Sequence, residues 1–145
     1  MATFNKFNSF VEALAEKVHK LDTDVLKVAL VPAANPPAAG NTVLANITQI
    51  AGGNGYVSGG NQATQAALPG GSQQTAGTYK LTLNDVTFSA TPGSIAPFQY
   101  VVLYNDTATN KELIGWYDYG TALTVTAGNS FTVDFDATNG VLTIA

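Results

Sequence analysis

The chain places a carboxylate among aromatic rings at residues 116–119, Trp-Tyr-Asp-Tyr, and this is the group best suited to binding chemistry. Aromatic rings offer flat apolar faces and a carboxylate accepts hydrogen bonds, a combination that suits a sugar. The alternative, which the surrounding strand pattern favours, is that Asp118 lies near the end of a central strand and is hydrogen-bonded to a turn. Glycoside hydrolysis would also need a second acid across a cleft.

His19 is the single histidine, and the chain has no cysteine. Any Ser–His arrangement would therefore have to use His19, which the pattern places on the polar flank of a helix beside Lys17 and Lys20. An activated nucleophile also needs an orienting acid and a cleft. We expect a protein without catalytic residues, and not an enzyme.

Two glycine- or aspartate-containing loops match ligand motifs only in part. Residues 134–140 begin like a calcium loop, but Thr138, Asn139 and Ala145 stand where an EF-hand has an oxygen ligand, a glycine and a glutamate. Residues 53–58 lack the third glycine of a dinucleotide-binding turn. We therefore expect no metal and no cofactor; a weak ion site at the 134–140 turn is the alternative left open.

Composition excludes several classes of partner. Charged residues make up 11% of the 145 residues, against about 25% in typical domains, and the net charge is −4. Six basic residues do not form the footprint of a nucleic-acid-binding protein. The absence of an apolar run of about 18 residues predicts no membrane span. The N-terminus also lacks the basic and apolar segments of a secretory signal.

A hairpin dominates the second half of the chain. Residues 98–104 and 113–119 are rich in β-branched and aromatic residues and are separated by a polar turn, so they predict two paired strands. Alternation would place Phe98 with Tyr100, and Ile114 with Trp116. Because both faces are apolar, the hairpin should lie in the middle of a sheet that is covered on both sides, with Trp116 in the core.

The flanking segments predict the covering elements. Apolar residues at spacings of three and four over residues 4–21 predict an amphipathic helix, packed on the sheet or exchanged with a neighbouring subunit. Residues 24–31 predict a strand, and residues 42–50 a short helix or turn. A change of parity at Asn84-Asp85 predicts a β-bulge. Asn139-Gly140 predicts a hairpin between residues 131–135 and a paired final strand.

Together these elements predict one domain over residues 1–145. It divides into an N-terminal helix (1–22), a strand, loop and short helix (23–57), a flexible excursion with a short edge strand near 63–68 (58–77), and an antiparallel β region (78–145). The predicted fold is mainly β, a jelly-roll-like antiparallel β-sandwich with an N-terminal amphipathic helix.

Several segments carry a family resemblance. They are residues 4–19, the strand around Leu26–Leu30, residues 45–56, the block from Pro97 to Gly120, and the ending from Phe131 through Asn139-Gly140. In these segments the chain resembles small virion structural proteins of tailed bacteriophages, of the head-decoration or capsid-cement type. The resemblance covers most of the chain outside residues 58–77, and its motifs are structural.

The resemblance implies a non-enzymatic protein on the outer head surface of a virion, assembled in the host cytoplasm. It implies that the chain binds the major capsid protein and forms a homo-oligomer, with a trimer favoured. Loops and chain-terminal elements then supply the candidate capsid or subunit contacts: Phe4, Phe7, Leu68, Gln73 and Gln74. The alternative is a tail-fibre or baseplate module that binds host-surface glycans through Trp116, Tyr117, Asp118 and Tyr119.

Overall fold

The computed structural model describes residues 2–67 and 72–145, which form antiparallel β-sheets and one short helix. The helix α1 spans Ser9–Ala15, and a 3-10 turn spans Leu44–Asn46. The strands are β1 (Thr3–Lys6), β2 (Leu26–Val31), β3 (Asn61–Ala63), β4 (Gln73–Thr75), β5 (Thr78–Leu81), β6 (Val86–Ser89), β7 (Ile95–Asn105), β8 (Leu113–Val125), β9 (Ser130–Val133) and β10 (Leu142–Ile144).

The largest sheet is built on the predicted hairpin. Its strand order is β1-β8-β7-β2-β3, so β7 is central and β8 is covered at its edge by β1. The hairpin and its central place are therefore confirmed. Its strands are longer than predicted, and β8 continues to Val125.

Register shifts alter which side chains share a face of this sheet. One shift lies between Phe98 and Tyr100, and it moves Phe98 to the face of Val101. Another lies where Leu103 pairs with Gly115 and Tyr104 with Leu113, which leaves Ile114 as an extra residue. Ile114 consequently faces away from Trp116, and the simple alternation predicted for these two positions is wrong.

Two smaller sheets, of order β10-β5-β4 and β6-β9, lie against one face of the large sheet. At residues 84–85, where the apolar positions change parity, the chain leaves β5 of one small sheet and enters β6 of the other. The predicted bulge is therefore wrong. Asp85 stabilises this passage, because its Oδ1 accepts the Phe135 N–H at 2.9 Å.

Apolar side chains cover both faces of the central hairpin, as predicted. The main core lies between the large sheet and the small sheets and includes Leu30, Phe88, Phe98 and Leu103. A second cluster covers the opposite face, and its buried members are Phe7, Ala29, Val31, Val102, Tyr104 and Leu113. The hairpin can thus be apolar on both faces without exposing either.

The N-terminus differs from the predicted helix over residues 4–21. Residues 3–6 pair with β8, and only seven residues form α1. Pairing with the open edge of β8 satisfies backbone groups and buries part of Phe4, which outweighs the helical periodicity of this segment. Past α1 the backbone of Lys17 has φ = 63°, which ends the helix. Val11, on the predicted apolar stripe, is 55% exposed.

The end of the chain also pairs differently. β9 pairs with β6 and β10 pairs with β5, so residues 139–140 do not join a hairpin between β9 and β10. They close a turn in which the Asp136 carbonyl accepts the Gly140 N–H at 2.8 Å. The final strand is nevertheless paired, as predicted. The turn predicted within residues 42–50 is confirmed by the 3-10 turn.

The described parts of residues 58–77 contain two short strands. β3 pairs with β2, and it begins two residues before the edge strand predicted at 63–68. The Gln65 side chain ties the following residues down, since its Nε2 donates to the Leu21 and Asp24 carbonyls at 2.8 and 3.0 Å. β4 forms a hairpin with β5. The predicted contact residue Leu68 lies outside the described residues.

Candidate functional site: an aromatic cleft and an open sheet edge

His19 is buried inside the fold and packs against other side chains. Its side chain is 4% exposed and stacks on the Phe10 ring, with the ring centroids 5.4 Å apart. Its Nδ1 lies 3.2 Å from the Asn105 amide nitrogen, which is a donor, so Nδ1 acts as the acceptor of a neutral imidazole. Burial lowers the pKa of His19. The prediction of a polar helix flank for this residue is wrong.

Asp118 is hydrogen-bonded, as the strand interpretation predicted, but it lies in the middle of β8 and its partners belong to strands and not to a turn. Its Oδ1 accepts the Gly120 N–H at 2.7 Å and the Gln99 amide at 3.1 Å. Trp116 is only half-buried, with its ring 4.6 Å from that of Phe7 in the second cluster. Tyr117 and Tyr119 pack against the main core on the opposite face. The four residues of the predicted sugar site therefore do not share one surface.

The 134–140 loop uses one of its two aspartates, Asp136, to build a turn. Asp136 Oδ1 accepts the N–H groups of Thr138 and Asn139 at 2.8 and 2.7 Å, and these bonds lower the pKa of Asp136. Within residues 2–67 and 72–145, no three or more histidine, cysteine, aspartate or glutamate side chains are grouped to hold a metal ion. The Gly53 and Gly55 backbones have positive φ angles, which glycine adopts readily in a turn.

The loop of residues 134–140 forms one wall of a cleft of about 740 Å³. Further lining residues come from β1 and β8, which form one edge of the large sheet, and from β9. Aromatic and acidic side chains dominate the lining. Its members are Ala2, Phe4, Asp85, Tyr117, Tyr119, Thr132, Asp134, Phe135, Asp136, Ala137, Gly140 and Val141.

Four aromatic residues give the cleft its apolar surface. The ring centroid of Tyr117 lies 5.1 Å from that of Phe4 and 6.0 Å from that of Phe135. Tyr119 packs edge-on against Phe131 at 5.3 Å. Both tyrosines are half-buried, so each ring is fixed by the core while part of its surface faces the cleft. Rings held in this way can bind a ligand with little loss of side-chain entropy.

Carboxylates face these rings. Burial raises the pKa of the Tyr117 hydroxyl, and the charges of Tyr119 and Asp136 raise it further. Burial also raises the pKa of Tyr119, with a second contribution from Asp134. Both tyrosines therefore stay neutral well above neutral pH. The lining contains three aspartates and no lysine, arginine or histidine, so the cleft is negative and its tyrosines are hydrogen-bond donors.

The second surface feature is the free side of β4. All three residues of this strand, Gln73, Gln74 and Thr75, are exposed and uncharged. β4 is the terminal strand of its sheet, and within the described residues no strand pairs with its outer side. The tight turn to β5 is set by Ala76 and Gly77, both with positive φ. Such an edge offers unpaired backbone groups to a partner.

The predicted contact residues are thus distributed over different parts of the molecule. Phe4 lines the cleft, whereas Gln73 and Gln74 lie on the β4 edge. Phe7 is fully buried against Trp116, so its side chain is not available at the folded surface. Sequence reasoning missed the cleft, although the acidic and aromatic alternation of residues 131–136 was a signal for one of its walls.

Comparisons with protein-family models, with curated proteins and with solved structures find no match to this chain. Among the described residues, no helix has the length and apolar character needed to cross a membrane.

Proposed function

We propose that this chain is a non-enzymatic virion structural protein that decorates and stabilises the outer surface of a tailed-bacteriophage capsid. Its partner is the major capsid protein, and it acts as a homo-oligomer, with a trimer favoured. In this proposal the sheets form a jelly-roll-like sandwich, and the particle is assembled in the host cytoplasm. The resemblance of the Pro97–Gly120 block and the chain ends to head-decoration proteins is its starting point.

The observation that carries the proposal is the open, uncharged edge at β4. Exposed sheet edges promote unwanted association, and proteins commonly protect them with charges or cover them. Here Gln73, Gln74 and Thr75 provide no charge, so the edge is suited to being covered by a partner. Addition of a strand to such an edge is a recurrent mode of protein recognition.

A capsid lattice suits such a contact because it repeats. One short strand pairing gives modest affinity, but an oligomer that contacts several capsid subunits gains from effective concentration. A surface with few charges, as in this chain, fits a contact built from hydrogen bonds and small apolar patches.

The second candidate function is that of a tail-fibre or baseplate module that binds host-surface glycans. The cleft favours it in one respect, since Tyr117 and Tyr119 both line it. Trp116 and Asp118 are outside the cleft, so a glycan site would have to use the acids of the 134–140 loop instead.

The test is to add purified protein to undecorated heads and to measure occupancy by sedimentation and gel densitometry. The double variant Gln73→Lys with Thr75→Lys places two charges on the β4 edge, and we expect at least a tenfold weaker association. The matched control, Ala33→Lys with Asn35→Lys, adds the same charge at exposed positions of a loop far away in the sequence and should bind like the wild type.

A Gln73→Lys, Thr75→Lys variant that binds heads as well as the wild type does would remove this edge from the interface. Protein that binds tails or host cells, and no heads, would instead favour the glycan-binding module.

A further inference from the structure

We propose that the cleft binds a lysine or arginine side chain, presented by an extended basic segment of a partner protein. The cleft is the groove lined by Phe4, Tyr117, Tyr119, Phe135 and the three aspartates. The inference does not depend on capsid decoration, because it concerns a site that can be tested in solution.

The first argument is charge complementarity. Asp85, Asp134 and Asp136 line the cleft, and no cationic side chain lines it with them. Lys80 is the basic residue bound to the same loop, and its ammonium donates to the Thr138 carbonyl at 3.0 Å. The Lys80 charge also lowers the pKa of Asp136, but three carboxylates against this one ammonium leave the cleft with net negative charge, so a cation from a partner would gain electrostatic energy there.

The second argument is the position of the rings. A cation is attracted to the face of an aromatic ring, and the attraction grows when the site is partly desolvated. Tyr117 and Tyr119 are held by the core through Phe135 and Phe131, and their half-buried rings form the floor beside Asp134 and Asp136. The rings are thus fixed in place before a ligand arrives, with carboxylates next to them.

The third argument is shape. The cleft is about 740 Å³ in volume, within the range of ligand pockets, and is lined by residues of β1, β8, β9 and the loop after β9, so it can take a long side chain. A long apolar stem with a charged end, as in lysine and arginine, matches an apolar floor with acids at its rim. A neutral glycan would use the rings but would gain nothing from the net charge of the cleft.

The experiment is calorimetric titration with a short glycine–serine peptide carrying two arginines, against the same peptide with glutamines in their place. We expect the arginine peptide to bind and the glutamine peptide not to bind. The double variant Asp134→Asn with Asp136→Asn should weaken binding at least tenfold, while asparagine retains the acceptor for the 136–139 turn. The matched control, Glu12→Gln with Glu16→Gln, removes two exposed charges from α1 and the residue after it and should leave binding unchanged.

A second variant keeps the proposal testable if the first one unfolds. Thr132→Lys, at an exposed position of the lining, places a tethered ammonium in the cleft and should also reduce peptide binding at least tenfold. Equal losses in the cleft and α1 variants would show general charge attraction and overturn the site. So would no detectable binding of the arginine peptide, or binding of a neutral oligosaccharide that survives the loss of Asp134 and Asp136.

Discussion

Tyr56 shows how one side chain can link a loop to the core. Its hydroxyl donates to Gln49 Oε1 at 2.6 Å and accepts the Leu30 N–H at 3.1 Å. Gln49 Oε1 also accepts the Gly59 N–H, so the loop before β3 and the middle of β2 meet at this hydroxyl. The ring is 2% exposed, and burial raises its pKa to about 12. Ionisation would remove the donor and leave a charge in the core.

The raised pKa predicts a loss of stability in alkali. An unfolded tyrosine ionises near pH 10, whereas Tyr56 in the folded chain holds its proton up to about pH 12. Between these values the folded state binds more protons, so the free energy of unfolding should fall as the pH rises through this window. Urea unfolding measured at several pH values checks this. Tyr56→Phe cannot ionise and should show a shallower fall; equal slopes would contradict the assignment.

At the residue scale, the sequence predicted which side chains are buried better than it predicted which face of the sheet each of them lies on. The apolar character of Phe98, Ile114 and Val101 correctly indicated core positions. Which core each one joins depends on register shifts between β7 and β8, and a local pattern does not contain the pairing that creates them. His19 was misplaced for a related reason, since its partner Asn105 is distant in the sequence.

The position of β1 depends on a glycine of the neighbouring strand, β8. Lys6 pairs with Gly115, and a Cβ at Gly115 would overlap the Phe4 ring and lie 2.7 Å from the Asn5 carbonyl oxygen. Close approach of β1 to β8 therefore requires the missing side chain. This requirement explains why the N-terminal segment can form an edge strand over an otherwise complete hairpin.

Gly115→Ala should therefore displace β1 and destabilise the fold by about 1–3 kcal/mol, the usual cost of overpacking. Chemical denaturation gives the free energy of unfolding, and hydrogen exchange of residues 3–6 reports whether β1 is released. Gly40→Ala is the matched control, because nothing lies within 4 Å of its added Cβ. Protected β1 amides in the Gly115 variant would show that the strand adapts without leaving.

At the element scale, strong local patterns were reliable and weak ones were overruled by pairing. The β7–β8 hairpin was predictable because both strands are long and dense in β-formers. The predicted N-terminal helix was too long, because residues 3–6 pair with the open edge of β8 instead of forming a helix. The cleft could not be predicted, since its walls come from β1, β8, β9 and the following loop, which only the tertiary fold brings together.

At the scale of the whole molecule, the acidic cleft and the open edge of β4 are made of different residues. Three of its ten acidic residues line the cleft, whereas the β4 edge is uncharged. Two surfaces with different chemistry can serve two partners, or two parts of one partner, without competing. They should also respond differently to salt, because screening weakens charge pairs far more than it weakens strand pairing.

Occupancy on undecorated heads should consequently be nearly independent of salt if the β4 edge makes the capsid contact. Raising ionic strength from about 0.1 M to about 1 M shortens the Debye length from about 10 Å to about 3 Å, which removes most attraction between exposed charges. Sedimentation of heads with bound protein at both salt concentrations measures the effect, and the Asp134→Asn, Asp136→Asn variant should show the same occupancy as the wild type. A steep loss of wild-type binding with salt, abolished in that variant, would instead place the acidic cleft against the capsid.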